Sequence, residues 1–161
     1  MIAPARNPLP GGREHWQHGP IDLVIRAEGE PTAVAQAYAG AWQRFQHVLE
    51  ELVAELSMLR LPVGQANPLR GVIARRMVAA TAPYAREFIT PMAAVAGSVA
   101  QEIVGFFAAE PGVRKVYVNN GGDIALHLAP GESLSVGLVA NAYAPALNGH
   151  VDVVYLSLIH I

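Results

Sequence analysis

The sequence predicts an α+β fold in which helices pack on a largely antiparallel sheet. Apolar and polar residues alternate over 21–26, apolar residues then recur every three or four positions in segments between 31 and 109, and alternation returns after residue 114. Strands and helices that come in separate blocks are typical of α+β proteins, whereas one-by-one alternation indicates α/β proteins. The 161 residues correspond to one domain.

The composition excludes several classes of protein. Charged residues make up 15% of the chain and hydrophobic residues 52%, which excludes a disordered chain. A net charge of −2 argues against nucleic-acid binding. Without cysteine there is no disulfide framework, thiol nucleophile or cysteine zinc site. The sequence has no uninterrupted apolar run of about 18 residues and no signal-peptide core, so we expect a cytoplasmic protein that does not contact a membrane.

The first half of the chain contains a strand and a long helix. Residues 1–16 are rich in proline and glycine and are expected to form a mobile lead-in. The first strand begins at Ile21 and ends at Gly29. Pro31 then opens an amphipathic helix of about seven turns, which ends before Leu61-Pro62-Val63-Gly64.

Two further helices begin with a capping residue followed by proline. Asn67-Pro68 opens a helix that ends near residues 81–83, and Thr90-Pro91 opens one that runs to about Ala109. One side of the latter helix carries only small residues, which would let a sheet or a ligand approach closely. These small residues are Ala93, Ala94, Ala96, Gly97, Ser98 and Ala100.

Three strands follow, over 115–118, 124–128 and 133–138, and predict a β-meander. The first two are joined by Asn119-Asn120-Gly121-Gly122-Asp123. This run is typical of a hairpin turn. It could instead form a nest, whose backbone N–H groups bind an anion while the Asn amides and the carboxylate hold a ribose, a base edge or a metal-bound phosphate. Local sequence favours the turn and leaves the nest open.

The histidines give weaker signals. His18 and Asp22 flank a rigid Gly-Pro entry into the first strand, which is either a ligand contact or a solvated turn. His15 and His18 lack a third metal ligand nearby in the sequence. His127 and Asp123 would share one face of a strand about 13 Å apart, too far for a hydrogen bond.

One serine lies in a sequence that is loosely similar to a nucleophile elbow. Ser98 is the centre of Ala96-Gly97-Ser98-Val99-Ala100, but this run lies within a predicted helix. An elbow requires a turn between a strand and a helix. Close packing of the helix therefore explains Ser98 better than catalysis does.

Three stretches together resemble signature stretches of one family. They are Gln17-His18-Gly19-Pro20-Ile21-Asp22-Leu23, Thr90-Pro91-Met92-Ala93-Ala94-Val95-Ala96-Gly97 and Tyr117-Val118-Asn119-Asn120-Gly121-Gly122-Asp123-Ile124-Ala125. The family is a branch of uncharacterised proteins in the ApbE-like superfamily, whose best-known members are FAD:protein FMN transferases. The resemblance covers about residues 17–139.

The resemblance implies a site for a flavin or another nucleotide, with FAD or FMN and Mg²⁺ as the cofactors. The implied binding residues are Asn119, Asn120, Gly121, Gly122 and Asp123, then Thr90, Ala96 and Gly97 at the helix start, with His18 as a peripheral contact. A helix beginning at residues 90–92 would also favour an anion. The implied partner is a small-molecule nucleotide.

Two departures from the superfamily pattern bear on activity. The transferases have a Gly-x-Ala-Lys-Gly-type stretch in this helix, whereas Ala96-Gly97-Ser98-Val99-Ala100 contains no lysine. Related proteins also continue past the third strand, so we expect an ApbE-like domain over 17–155 that lacks its C-terminal part, followed by a non-native tail over 156–161. The resemblance therefore assigns no catalytic residue and no metal ligand to this chain.

Three hypotheses about function stay open. The first is a nucleotide-binding domain, transferase-like when full length. The second is a non-catalytic domain that uses the same fold to bind a protein partner or to form a homo-oligomer. The third is a fragment without a function of its own.

Overall fold

A computed structural model describes residues 3–65, 69–141 and 143–155 and the backbone of Ile159–His160. It confirms the α+β class. The strands of the described chain are β1 (Ala5–Leu9), β2 (Arg13–His18), β3 (Ile21–Gly29), β4 (Val113–Asn120), β5 (Asp123–Leu128), β6 (Ser133–Leu138), β7 (Gly149–Val154) and β8 (Ile159–His160). Its α-helices are α1 (Pro31–Ala54), α2 (Leu56–Leu59), α3 (Val72–Thr81) and α4 (Val95–Ala108), and 3-10 turns span Ala82–Tyr84 and Pro91–Ala94.

Six strands form one antiparallel sheet in the order β1-β2-β3-β4-β5-β8, and β6 pairs with β7 in a separate two-stranded sheet. The predicted meander is therefore wrong in its last strand. After a turn closed by the Glu132 N–H and the Ala129 carbonyl, β6 leaves the edge of the main sheet. Its Leu134 packs instead with Leu126 and Leu128, because this placement buries apolar side chains that an edge position would leave exposed.

The N-terminal residues belong to the sheet, so the prediction of a mobile lead-in over 1–16 is wrong for its described part. Strand β1 pairs with β2 from Ala5 opposite Gln17 onward. Trp16 is fully buried, and its ring meets the Trp42 ring edge-on at 5.2 Å between centroids. Pro8 is tolerated because β1 is an edge strand, where a missing N–H breaks no ladder on the outer side.

The long first helix is confirmed. Glu30 caps α1, and its carboxylate accepts from the backbone N–H groups of Thr32 at 3.1 Å and Ala33 at 2.8 Å. Pro31 is its first residue. The predicted apolar stripe faces the sheet and α4, with Ala33, Ala37, Tyr38, Ala41, Phe45, Val48 and Leu52 buried.

The later helices differ from the prediction mainly at their starts. Helix α3 ends at Thr81 as expected, but the predicted cap at Asn67-Pro68 lies outside the described residues. The helix expected from Thr90-Pro91 begins as a 3-10 turn, and the α-helix starts at Val95. The 3-10 turn leads directly into the α-helix, so the helical segment as a whole spans Pro91–Ala108.

The main core lies between one face of the sheet and helices α1 and α4. The segment Pro91–Ala108 is long and apolar enough to cross a membrane. Its Val99, Ile103 and Phe107 side chains are nevertheless fully buried in this core. In total 39% of the segment is buried in the protein, where α4 packs on β4 and β5.

Part of the expected tail over 156–161 lies outside the described residues. The backbone of Ile159–His160 is described and forms β8, in which His160 pairs with Ala125 and Ile159 with Leu126 at the edge of the main sheet. The structure thus places the backbone of two residues of this segment beside β5.

Candidate functional site

Three motifs that are far apart in the sequence meet at one end of the main sheet. The β2–β3 and β4–β5 hairpins turn at the same end, because Leu23 near the start of β3 pairs with Asn120 at the end of β4. The start of α4 packs beside them, and the Asn120 Nδ2 group donates to the Ala96 carbonyl at 3.1 Å. The antiparallel pairing of the strands therefore creates one site from the three segments.

The β4–β5 hairpin is closed by a two-residue turn, as local sequence favours. Asn120 pairs with Asp123 across the turn, and Gly121 and Gly122 have positive φ angles of 61° and 112°. The Asn119 side-chain oxygen accepts from the Gly122 N–H at 2.9 Å. One of the N–H groups that a nest would offer is therefore already bound within the turn.

An apolar cavity of about 290 Å³ opens where the three segments meet. Pro20 and Ile21 come from the first segment, Met92, Val95 and Ala96 from the second, and Asn120 from the third. The remaining wall belongs to the end of α1, to α2 and to α4, with Leu49, Leu52, Val53, Leu56, Leu59, Arg60 and Val99. We call this space the apolar cavity.

A second cavity, of about 310 Å³, opens on another face of the same helix start. Ala93, Ala94 and Gly97 line it, so the small side of the predicted helix does leave space beside it. The polar groups are Asp123 from the hairpin, Arg76 from α3, and Ser98 and Gln101 from α4 itself; Ala80 completes the wall. We call this space the polar cavity.

The charges at the polar cavity are held by a network of ion pairs. Arg76 donates to the Ser98 carbonyl at 2.9 Å and to the Glu102 carboxylate at 3.0 Å, and Arg44 donates to the same carboxylate at 2.8 Å. Burial acts to raise the pKa of Glu102, but the bonds from both guanidinium groups outweigh it and lower that pKa below its usual value. Arg76 therefore has a fixed position, whereas Asp123 is exposed.

The structure brings four of the nine predicted site residues to the two cavities. Asn120 and Ala96 line the apolar cavity, and Gly97 and Asp123 line the polar cavity. The other five, His18, Thr90, Asn119, Gly121 and Gly122, line neither of these two cavities, as the described residues define them. His18 is buried, its ring lies 6.3 Å from that of Phe45, and its Nδ1 atom has no hydrogen-bond partner among the described residues.

The remaining histidine candidates do not form a site in the described structure. His15 pairs with Asp22 at 3.0 Å on the face of the sheet away from α1, while His18 points into the core. His127 has a buried Nδ1 atom without a partner among the described residues. Within this part of the chain, no three His, Asp or Glu side chains lie close enough to hold a metal ion.

The sequence did not indicate the contribution of α3 to the site. Arg76 lies 26 residues before Glu102, its ion-pair partner, and had only the pattern of a polar helix face. The small residues on one side of α4 indicate that another element packs closely there, but they do not identify α3 as that element. Ser98 and Gln101 lie on α4. Their position at the polar cavity follows from the orientation of α4 on the sheet.

Comparison with known proteins gives a family but no characterised relative. No curated protein matches the chain. The family model described as AbpE bacteria matches residues 6–156, which is nearly the whole chain. The protein therefore belongs to the AbpE bacteria family.

Proposed function

We propose that the protein binds a nucleotide, with FAD or FMN the favoured ligands, at the end of the sheet where the three segments meet. The observation that carries the proposal is that all three segments line one apolar cavity, beside a polar cavity that Asp123 lines. A nucleotide needs both surroundings, since its ring is flat and apolar while its sugar and phosphate groups are polar. The resemblance to the ApbE-like superfamily implies four of the lining residues, namely Ala96, Gly97, Asn120 and Asp123.

The two cavities have complementary chemistry. Leucines, valines and Met92 line the apolar cavity, which suits a planar ring system. Arg76 carries the positive charge that a phosphate requires, and Asp123 can accept hydrogen bonds from ribose hydroxyl groups. Each cavity lies near the lower end of the range of about 300–1,000 Å³ that small-molecule sites occupy.

Magnesium fits this site only together with phosphate oxygens. Mg²⁺ is usually bound through one or two carboxylates, with phosphate and water completing its shell. Asp123 offers one exposed carboxylate at the polar cavity. We therefore include Mg²⁺ as a ligand of the bound nucleotide and assign no flavin-transfer chemistry, because the helix start carries no lysine. We propose the cytoplasm as the location of the protein.

Isothermal titration calorimetry with FAD, FMN and ADP, each with and without Mg²⁺, tests the proposal. We expect Asp123→Ala to weaken binding about tenfold or more, because it removes a charged hydrogen-bond acceptor. Asp152→Ala is the matched control, since Asp152 is also an exposed strand aspartate but lies on β7. Absence of binding by the unchanged protein, or an equal effect of both substitutions, would contradict the proposal.

A second candidate function is assembly with a protein partner or with another copy of the chain. It is favoured by apolar residues exposed on and beside the β6–β7 sheet, namely Leu138, Val139, Val151, Val154 and Tyr155. Light scattering on the same variants separates the two functions. A stable complex that survives Asp123→Ala, in a protein that binds no nucleotide, would favour assembly.

A further inference from the structure

One charged side chain belongs to the wall of the apolar cavity. Arg60 lines this cavity, whose other described wall residues are all uncharged. Among them, Asn120 alone has a polar side chain, and its Nδ2 group already donates to the Ala96 carbonyl at 3.1 Å. Arg60 is therefore the only charge that the described part of the chain offers to a ligand in the apolar cavity.

The Arg60 guanidinium group is free to bind a ligand. It is exposed, and it forms no ion pair or hydrogen bond with the described residues. The guanidinium groups of Arg44 and Arg76, by contrast, are bound to Glu102. Because Arg60 both lines the cavity and is exposed, its five N–H donors are available where the cavity opens to solvent.

The backbone that carries Arg60 is fixed in position. Arg60 is the C-terminal capping residue of α2, and its N–H group donates to the Leu56 carbonyl at 3.2 Å. The preceding residue, Leu59, is fully buried and lines the same cavity. A ligand in the apolar cavity therefore meets a charged donor whose attachment point does not need to be ordered on binding.

We propose that Arg60 determines which ring the apolar cavity accepts, by donating hydrogen bonds to carbonyl oxygens on the edge of that ring. The inference rests on the proposed function, in which the apolar cavity holds the ring and Arg76 in the polar cavity binds the phosphate. The planar guanidinium fork suits acceptors that lie in one plane. The isoalloxazine ring of FMN and FAD has two carbonyl oxygens on one edge, whereas adenine has none. Arg60 therefore favours flavins over adenine nucleotides.

Calorimetric titration of FMN and of ADP into the Arg60→Met variant tests the inference. Both ligands carry phosphate but differ in the ring, and methionine keeps an apolar stem while it removes the charged donors. We expect FMN to bind about tenfold more weakly and ADP to bind within about twofold of the unchanged protein. Arg86→Met is the matched control and should change neither affinity, since Arg86 is also exposed but lines neither cavity.

The visible absorption spectrum of bound FMN gives a second readout. A charged donor at a ring carbonyl changes the absorption of the isoalloxazine, whereas a donor at the phosphate leaves the ring unchanged. We expect the bands of bound FMN to shift between the unchanged protein and Arg60→Met. Arg86→Met should give the spectrum of the unchanged protein.

The outcomes distinguish this inference from the proposed function. If Arg60→Met binds FMN as tightly as the unchanged protein does, the role of Arg60 is overturned and the nucleotide site stands. Equal losses of FMN and ADP, or a loss of FMN without a spectral shift, would also overturn it, because Arg60 would then contact the phosphate. If the unchanged protein binds ADP but no flavin, the inference fails alone. If it binds neither FMN, FAD nor ADP, both proposals fail.

Discussion

The two glycines of the β4–β5 turn place different demands on their backbones. Gly121 has a φ angle of 61°, in the left-handed region that Asn also adopts, whereas Gly122 has a φ angle of 112°. At 112° a Cβ atom causes strain even where the surrounding space is open, as it is around both residues. Gly122 also donates its N–H to the Asn119 side chain. The backbone conformation therefore requires a glycine at position 122 more strictly than at position 121.

We expect Gly122→Ala to lower the free energy of unfolding by about 1–3 kcal/mol, because alanine is strained at that φ angle. Gly121→Asn should cost clearly less, since Asn tolerates left-handed φ angles. Urea denaturation followed by circular dichroism measures both values. Equal losses in the two variants would show that this difference in φ angle does not affect stability.

At the scale of elements, one carboxylate joins three helices. Glu102 on α4 accepts hydrogen bonds from Arg44 on α1 and from Arg76 on α3. The Glu102 side chain is only 13% exposed, and the side chains of Arg44 and Arg76 are 20% and 27% exposed. Such a partly buried pair contributes more than a surface salt bridge, because solvent screens it less. The network also fixes the Arg76 wall of the polar cavity.

Replacement of Glu102 by glutamine should destabilise the protein by about 1–3 kcal/mol at pH 7, because both arginines lose the charged acceptor that they share. Arg44 keeps its ion pair with Glu51, and Arg76 keeps its hydrogen bond to the Ser98 carbonyl. The pKa of Glu102 is lowered in the folded state, so its stabilising effect is present above the unfolded pKa near 4.5 and is lost as the pH falls through the folded pKa. The difference between Glu102→Gln and the unchanged protein should therefore shrink between pH 5 and pH 3.

Chemical denaturation at several pH values measures this difference. Glu50→Gln is a suitable control, since Glu50 is exposed on α1 and its substitution should have little effect at any pH. A gap between Glu102→Gln and the unchanged protein that stays constant down to pH 3 would contradict the assigned network.

The elements differ in how far the sequence predicts them. Helix α1 is predictable because its stripe repeats through 24 residues and its start carries Glu30 and Pro31. Strands β1 and β2 are not predictable, because prolines and glycines hide the alternation of apolar and polar residues. Trp16 on β2 becomes a core residue only when α1 covers it. The partner of β6 depends on burial against Leu126 and Leu128, which local alternation does not encode.

The residues of the candidate site also differ in how far the sequence predicts them. The hairpin at Asn120 and Asp123 follows from turn chemistry, which acts between neighbouring residues. Its contact with Ala96, 24 residues earlier, requires the sheet and α4 to be assembled first. Arg76 belongs to a third element and carries no local signal. Local chemistry thus predicts single site residues, and tertiary packing decides which of them meet.

At the scale of the whole molecule, the two faces of the main sheet are covered unequally. Helices α1 and α4 cover one face and enclose fully buried residues such as Phe45 and Phe107. On the other face, the β6–β7 sheet covers Leu126 and Leu128, while its own Val151 remains 50% exposed. The stability of the β6–β7 sheet therefore rests on a small contact with Leu126 and Leu128, to which the sheet itself contributes one buried residue, Val153.

This asymmetry predicts two levels of protection in hydrogen exchange. Backbone amides of β3 and β4 should exchange only through global unfolding, because central strands bonded on both sides open last. Amides of β6 and β7 should exchange through a local opening of lower free energy that depends weakly on denaturant. Val153→Ala removes about two buried methyl groups, so it should lower the protection of β6 and β7 by about 1–2 kcal/mol while β3 and β4 lose less. Native-state hydrogen exchange measured by NMR across a urea series resolves both levels of protection. A single free energy of opening shared by β3, β4, β6 and β7 would show instead that the two faces unfold as one cooperative unit.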